Sequence, residues 1–380
     1  MVVYVNGPVQ NGDWSLADRP GKGAGIHLAA ALNALLGADP VPHLWNCSTL
    51  AGDVRHRQAV TRDGVGRARR EQQAVAAKYG SGALPAAGVL TDADPVVAAL
   101  ALEMTEALLA DGTLAVRRRP VLLCARCGHM AGVGTQDCRS CGHDTLLRAV
   151  RSLLVYDHAA HGPVLEAGDF HGTGARTRAH LLNIARNVPD ELVLSRTRAY
   201  GVSLVPLGLD KGLVLDPRAG LHAAVLAAVA GRGAQPVMTV TENAGANVAA
   251  YGAPFRRHRG MRMRYALHGR IAYEATVNAR LYEVHQAVVL RELFTGWFLP
   301  LCAGRERTGV HADQIPGLLK FLRRAHLARP SAPPGDLLEK TRRRVAAGDM
   351  RWVMEAEALA CVLADRDTTV GPAGPPRGEP

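Results

Sequence analysis

The sequence predicts an α/β fold: a parallel sheet alternating with helices, interrupted mid-chain by a four-cysteine module and followed by a helical C-terminal region. Three observations carry this expectation. Short apolar runs of strand length alternate with longer apolar runs bounded by Gly and Pro. Cys124-x-x-Cys127 and Cys138-x-x-Cys141 stand ten residues apart in the middle of that alternation. From about Tyr282 onward the pattern is helical only.

The elements follow in order. MVVYVNGP reads as a short buried strand ending at a Gly-Pro turn. Residues 10–25 are polar and Gly-rich, a loop, and GIHLAAALNALLG is a helix stopped by Gly37. PHLWNCST is a second strand, and residues 55–79 are charged and helical. Asp94-Pro95 starts a helix that Asp111-Gly112 stops. Beyond the cysteines, ELVLSRTRAYGVSLVP carries a strand, LHAAVLAAVAG a helix, and QPVMTVTEN and MRMRYALHG further strands. LYEVHQAVVLRELFTGWFLPL and IPGLLKFLRRAHLA are helices. A Pro-rich linker precedes one last basic helix, from about Asp336 to Ala364. The expected organisation is 1–112 first half of the sheet domain, 113–160 insert, 161–281 second half, 282–365 helical region and 366–380 disordered tail.

Of the 380 residues 48% are hydrophobic, ample for a core, but the apolar runs are too short and interrupted to span a membrane. Residues 1–10 lack a basic stretch before an apolar one, so a cytoplasmic location is expected. The net charge of +11 points to a polyanionic partner such as ATP or tRNA. Only five of the 45 basic residues are lysine, so the basic clusters are arginine: Arg117–Arg119, Arg256 to Arg264, and Arg342–Arg344. A solvated face is the competing reading of each.

Two CxxC pairs offer four thiolates to one tetrahedral zinc, with Gly128 and Gly142 placed for the tight turn after each pair. The predicted metal ligands are therefore Cys124, Cys127, Cys138 and Cys141, in a closed structural site. Disulfides are the weaker reading, because Cys47, Cys302 and Cys361 are scattered. Gly21–Gly25 (GKGAG) leads directly into a helix whose start carries His27, and a helix N-terminus suits a phosphate. The segment is not a Walker A loop, since no Lys-Ser/Thr follows at the required spacing.

Tyr4-Val-Asn6-Gly-Pro, Gly25-Ile-His27-Leu, Leu108-x-x-x-Gly112 before the cysteines, and Leu194-Ser195-Arg196 with Tyr200-Gly201 after them resemble class I aminoacyl-tRNA synthetases. Asp216-Pro217 and His268-Gly269 extend the series. The resemblance is closest to the methionyl-tRNA synthetase family, and the landmarks keep their order from about residue 2 to 270. It implies a Rossmann-like catalytic domain split by a zinc-bearing insert. It also implies ATP-dependent, Mg2+-assisted formation of an aminoacyl-adenylate, which esterifies a tRNA end. Carried over residue by residue, it assigns His27 and Arg280 to the phosphates, and Asn6, Gly25, Glu242, Asn243 and His268 to the nucleotide. Tyr4 and Asp53 fall to the amino acid.

The chain departs from the family at several of these places. The second histidine of the first motif is replaced by Ala30, and about fourteen extra residues precede the helix. Where a Lys-Met-Ser-Lys-Ser loop belongs, the chain reads Ala275-Thr-Val-Asn-Ala-Arg280, with no lysine between Lys211 and Lys320. Thr241-Glu242-Asn243 stands in place of Gly-Lys-Asp. About a hundred residues follow the core, fewer than the family's anticodon-reading bundle. The expected function is a divergent, truncated paralogue. It would activate an amino acid with ATP and pass it to a small amine or hydroxylamine acceptor in specialised metabolism, sometimes beside a partner enzyme. The alternatives are a degenerate binding protein, or a transferase using aminoacyl-tRNA without ATP, and a synthetase that charges tRNA.

Overall fold

The structure, a computed structural model, describes residues 1–7, 23–45, 88–91, 94–131, 134–138, 141–161, 165–172, 179, 182–183, 189–197, 201–271, 290 and 293–370. The sheet is built on β1 (Val2–Asn6), β10 (Gln235–Thr241), β13 (Arg264–His268) and β6 (Phe170–His171), all parallel and in that order. β2 (His43–Trp45) and β3 (Val89–Thr91) form a second parallel pair. It is joined to β1 through side chains: Asn6 Nδ2 donates to Leu44 O at 3.0 Å, and Leu44 N donates to Asn6 Oδ1 at 2.9 Å. Asn33 likewise holds Tyr4 N–H and C=O at 2.8 and 2.7 Å. Two asparagines therefore satisfy backbone groups that a strand ladder would otherwise pair.

Both faces of the sheet are covered, and this is why its strands read as near-continuous apolar runs. One core holds Val3, Val5, Met238, Val240 and Tyr265 against α2 (Pro95–Ala110), α3 (Pro217–Val229) and α4 (Glu242–Gly252). The other holds Tyr4 and Val237 against α1 (Ala24–Leu35) and the C-terminal helices. Alternate residues of β1 thus belong to different cores, as the period of a strand dictates. The left-handed Gly37 (φ +65) ends α1, with its N–H on Ala34 O.

The insert is a long antiparallel hairpin, β4 (Leu114–Cys124) and β5 (Leu146–Asp157), extended by β7 (Glu191–Val193). The expectation of a strand after the insert is met, but that strand joins the hairpin and not the parallel sheet. β8 (Ser195–Thr197) and β9 (Leu213–Leu215) form a separate antiparallel pair, where Arg196 Nε meets Asp216 at 3.0 Å. Asp216 is fully buried and caps α3, accepting from Arg218 N at 2.9 Å. Burial pushes its carboxyl up, yet Arg218 and Arg196 outweigh that and hold it below the usual range.

Two expectations for the C-terminal region need correction. The single basic helix is two helices, α7 (Gly335–Ala346) and α8 (Ala356–Val370). The break is local: Gly348 is left-handed (φ +77), and Asp349 accepts the N–H of Arg351 at 3.0 Å. The predicted tail begins too early, because α8 continues to Val370. Arg366 sits 5.5 Å over the Trp297 ring and Asp367 pairs with Arg329 at 2.7 Å, which hold that turn in place. α5 (Leu299–Arg305) and α6 (Ile315–Leu327) lie where helices are expected. The helix expected over 55–79 lies outside the described residues. Among the described residues no helix is long and apolar enough to cross a membrane.

Candidate functional site

Three strands end side by side at Asn6-Gly7, Thr239–Thr241 and His268. The chain leaves β1 into α1 on one face and β10 into α4 on the other, so β1 and β10 flank a topological switch point, where α/β sheets bind ligands. Gly7 N donates to Thr239 O at 2.7 Å, and a Cβ at Gly7 would fall 2.3 Å from that oxygen. Only glycine fits there. Thr239 Oγ1 donates to Gly25 O at 2.9 Å, tying the first turn of α1 to β10. A Cβ at Gly25 would lie 2.9 Å from His268 Nε2, so the bare backbone of α1 and the imidazole approach directly.

The crevice is rich in neutral histidine. His27, His43 and His268 are all at most 5% exposed. Burial drives the His27 pKa down to about 3, helped by His43; it drives His43 and His268 to about 4 each. His268 Nδ1 lies 2.8 Å from Gly269 O. A carbonyl only accepts, so Nδ1 carries the proton and Nε2 presents a lone pair towards Gly25. Such an atom suits a hydroxyl or N–H donor and not a phosphate oxygen. His43, with neither ring nitrogen hydrogen-bonded, lines a cavity of about 40 Å³ with Asn6, Ala30 and Asn33. That volume admits a water, which serves one of the two nitrogens.

The residues expected at the site are placed unevenly. Asn6, Gly25, His27 and His268 come together at the crevice, although the Asn6 amide is already used to hold Leu44. Glu242 and Asn243 supply the backbone of the first turn of α4, behind the cap formed by Thr241 Oγ1 on Ala244 N at 3.3 Å. Tyr4 points into the second core. Its hydroxyl donates to Val345 O at 2.6 Å and lies 3.1 Å from His171 Nε2. Asp53 and Arg280 lie outside the described residues. Sequence reasoning passed over His43 and Thr239. Their one signal was a polar residue inside an apolar strand.

The four cysteines meet at the tip of the hairpin. Cys124 and Cys141 sulfurs are 3.4 Å apart, Cys127 and Cys138 3.5 Å, and all four lie within 4.8 Å of one another. These separations exclude disulfides. They match the edge of about 3.8 Å that a tetrahedron with Zn–S bonds near 2.3 Å requires. Each pair forms the same loop: Gly128 N donates to Cys124 O and Gly142 N to Cys138 O at 2.8 and 2.7 Å, both glycines being left-handed. The donor set fits zinc. One equivalent of zinc is expected by elemental analysis, and Cys138→Ser is expected to release it and expose the hairpin to protease. Full zinc retention in that variant would overturn the assignment.

No protein-family model and no curated protein matches the sequence. Solved structures do. Mycobacterium tuberculosis methionyl-tRNA synthetase bound by methionyl-adenylate aligns over 97% of this chain and 83% of that one, with TM-score 0.56 and 14% identity. A second methionyl-adenylate complex of that enzyme covers 97% and 84%, with TM-score 0.55 and 13% identity. Its apo form covers 97% and 81%, with TM-score 0.52 and 13% identity. The fold is that of a methionyl-tRNA synthetase.

Within this methionyl-tRNA synthetase fold, most of the arginines expected to form polyanion patches are paired with carboxylates of the same chain. Arg117 pairs with Asp157 and Glu191 at 2.6 and 2.9 Å, and Arg119 with Glu191 at 2.6 Å. Arg256 pairs with Asp169, Arg257 with Glu166 at 3.2 Å, and Arg259 with Glu103 at 2.6 Å. Arg342 reaches Glu339 and Asp365, and Arg344 reaches Asp349 and Glu355. The acids that hold Arg117, Arg119, Arg256, Arg257 and Arg259 come from distant segments, so these two clusters cannot be told from a free basic face in one dimension.

Proposed function

We propose that this chain is a divergent relative of methionyl-tRNA synthetase that joins an amino acid to ATP as an aminoacyl-adenylate and passes the aminoacyl group to a small amine or hydroxylamine acceptor. One observation carries the reading: the bare first turn of α1, with His27, meets His268 and Thr239 at the switch point of the sheet. In the proposal, His27 and the first-turn N–H groups receive the phosphates, where charge develops as the carboxylate attacks the α-phosphorus. His268 accepts from a ribose hydroxyl, as its tautomer requires. Glu242 and Asn243 complete the nucleoside side, and Arg280 and Asp53 are the candidates for a second cation and for the substrate ammonium. The cytoplasmic assignment belongs to this proposal as well.

The test is pyrophosphate exchange into ATP across twenty amino acids, without tRNA. One amino acid is expected to support exchange, and His27→Ala to reduce it about 10²–10³-fold. Absence of exchange with every amino acid would falsify the proposal. A second reading, a transferase using aminoacyl-tRNA without ATP, is favoured by the absence of lysine between Lys211 and Lys320. It predicts salt-sensitive tRNA binding with no exchange.

A further inference from the structure

His43 opens β2, and the strand is fixed on both sides. His43 N donates to Gly88 O at 3.0 Å, and Asn6 holds the N–H and C=O of Leu44. The side chain is 3% exposed, yet among the described residues neither Nδ1 nor Nε2 has a hydrogen-bond partner. Buried polar groups are seldom left so, and an orphaned ring on a rigid strand marks a contact that something else completes.

The cavity of about 40 Å³ beside it lies between α1 and the chain leading into β2. One water needs about 10–15 Å³ on this measure, so the space holds roughly three water-sized groups. Ile26, Ala29 and Ala30 of α1 and Val41 give it apolar walls. The two amides in the wall are engaged elsewhere: Asn6 with Leu44 and Gly7, Asn33 with the backbone of Tyr4. Among the described residues no charged side chain lines the cavity. One water serves one ring nitrogen, and the other nitrogen and the remaining volume are left for a second small group. The crevice is adjacent. Asn6 belongs to both, Ala30 stands one turn after His27 on α1, and His43 is near enough to His27 to disfavour its protonation.

An ammonium would enter this space with no carboxylate to pair it, at a large desolvation cost. An uncharged nucleophile avoids that cost and donates an N–H or O–H to the open ring nitrogen. Burial keeps the ring neutral, so that nitrogen retains its lone pair. We infer that the His43 cavity receives the uncharged nucleophilic head of the acceptor, and that His43 is the base of the transfer step. The base role rests on the adenylate reading proposed above; the binding does not. In the step, the lone pair of the head forms a bond to the carbonyl carbon of the aminoacyl-adenylate. The bond from that carbon to the phosphate oxygen breaks, and its electron pair leaves with AMP. An attacking nitrogen is cationic once its new bond has formed, so it is acidic enough to give its surplus proton to a weakly basic imidazole. A head of about two non-hydrogen atoms fits beside the water, and the rest of the acceptor lies outside the cavity.

Nitrogen NMR of the full chain, labelled at its histidine rings, tests the site with hydroxylamine and methylamine as probes. Near neutral pH hydroxylamine is largely uncharged, whereas methylamine is protonated. Hydroxylamine is expected to shift the His43 ring resonances saturably in the millimolar range, as suits so small a molecule. Those resonances are identified by their loss in His43→Phe. Methylamine at the same concentrations should leave them in place. Ala30→Leu, which fills the cavity and leaves the ring intact, should abolish the hydroxylamine shift while the chain still melts cooperatively. With ATP and the amino acid that supports exchange, hydroxamate formation at saturating hydroxylamine should fall about 10²-fold relative to exchange in His43→Phe. No shift with hydroxylamine, an equal shift with methylamine, or an unchanged ratio of hydroxamate to exchange would overturn the inference. A hydroxylamine shift in a chain that supports exchange with no amino acid would remove the base role together with the adenylate reading and keep the binding site.

Discussion

Replacing Asp169 by alanine is expected to destabilise the protein by about 3–5 kcal/mol, the range for stranding a buried charge. Asp169 is 0% exposed and its partner Arg256 is 1% exposed. Oδ1 receives Arg256 Nη1, Arg262 Nε at 2.9 Å and Arg262 Nη2 at 2.6 Å, while Oδ2 receives Glu166 N at 2.8 Å. Burial, helped by Arg257 and Arg262, lowers the affinity of Arg256 for its proton, and Asp169 is the main charge that opposes this. Asp169 also stands directly before Phe170 and His171, the edge strand that pairs with Tyr265 and Ala266. Its loss should therefore loosen β6 together with the His171–Tyr4–Val345 chain. Urea unfolding measures the effect. The double variant Asp169→Leu with Arg256→Met should recover much of it, because an apolar pair has no charge to strand. A single-variant cost under about 1 kcal/mol would show that Arg256 finds water or another acid.

Stability should also fall steeply as pH drops from about 6.5 to about 4. Five buried histidines have lowered values: burial takes His27 to about 3 and His43, His171, His222 and His268 to about 4, from 6.5. Each favours the neutral form when folded, so the unfolded chain binds more protons within this window. The contribution is complete above the unfolded value and is lost as pH falls through the window. Each histidine can add up to about 1.4 kcal/mol per pH unit. Several together rival the total stability of about 5–15 kcal/mol of a typical domain. The expected outcome is acid unfolding near the upper part of the window, before carboxylates such as Asp216 and Glu191 titrate. Proton uptake on unfolding at pH 5 should drop by about one in His43→Gln. A stability curve flat between pH 6.5 and 4.5 would contradict this account.

Tyr4 matched a substrate position by local motif, yet the strand period turns it into the second core, where Val345 of a distant helix takes its hydroxyl. Asn6 was read as a nucleotide contact, and the structure uses its amide as a seam between two strands. Arg256 and Arg262 looked like one basic patch. They are instead one buried and one half-buried partner of Asp169, far away in sequence.

What the sequence by itself determined was everything set by short-range rules. The alternation of apolar runs fixed a parallel α/β sheet, and Cys-x-x-Cys-Gly spacing fixed two loops that converge on one metal geometry. Glycines at 25, 37, 128 and 142 marked a close approach and three left-handed turns. What only the tertiary structure decided was which distant groups meet: His27 with His43, Gly25 with His268, Asp169 with two arginines, and Val345 with Tyr4. The physical reason is that hydrogen bonds, desolvation and charge pairing depend on distance in space, whereas local pattern records only which face of an element is buried.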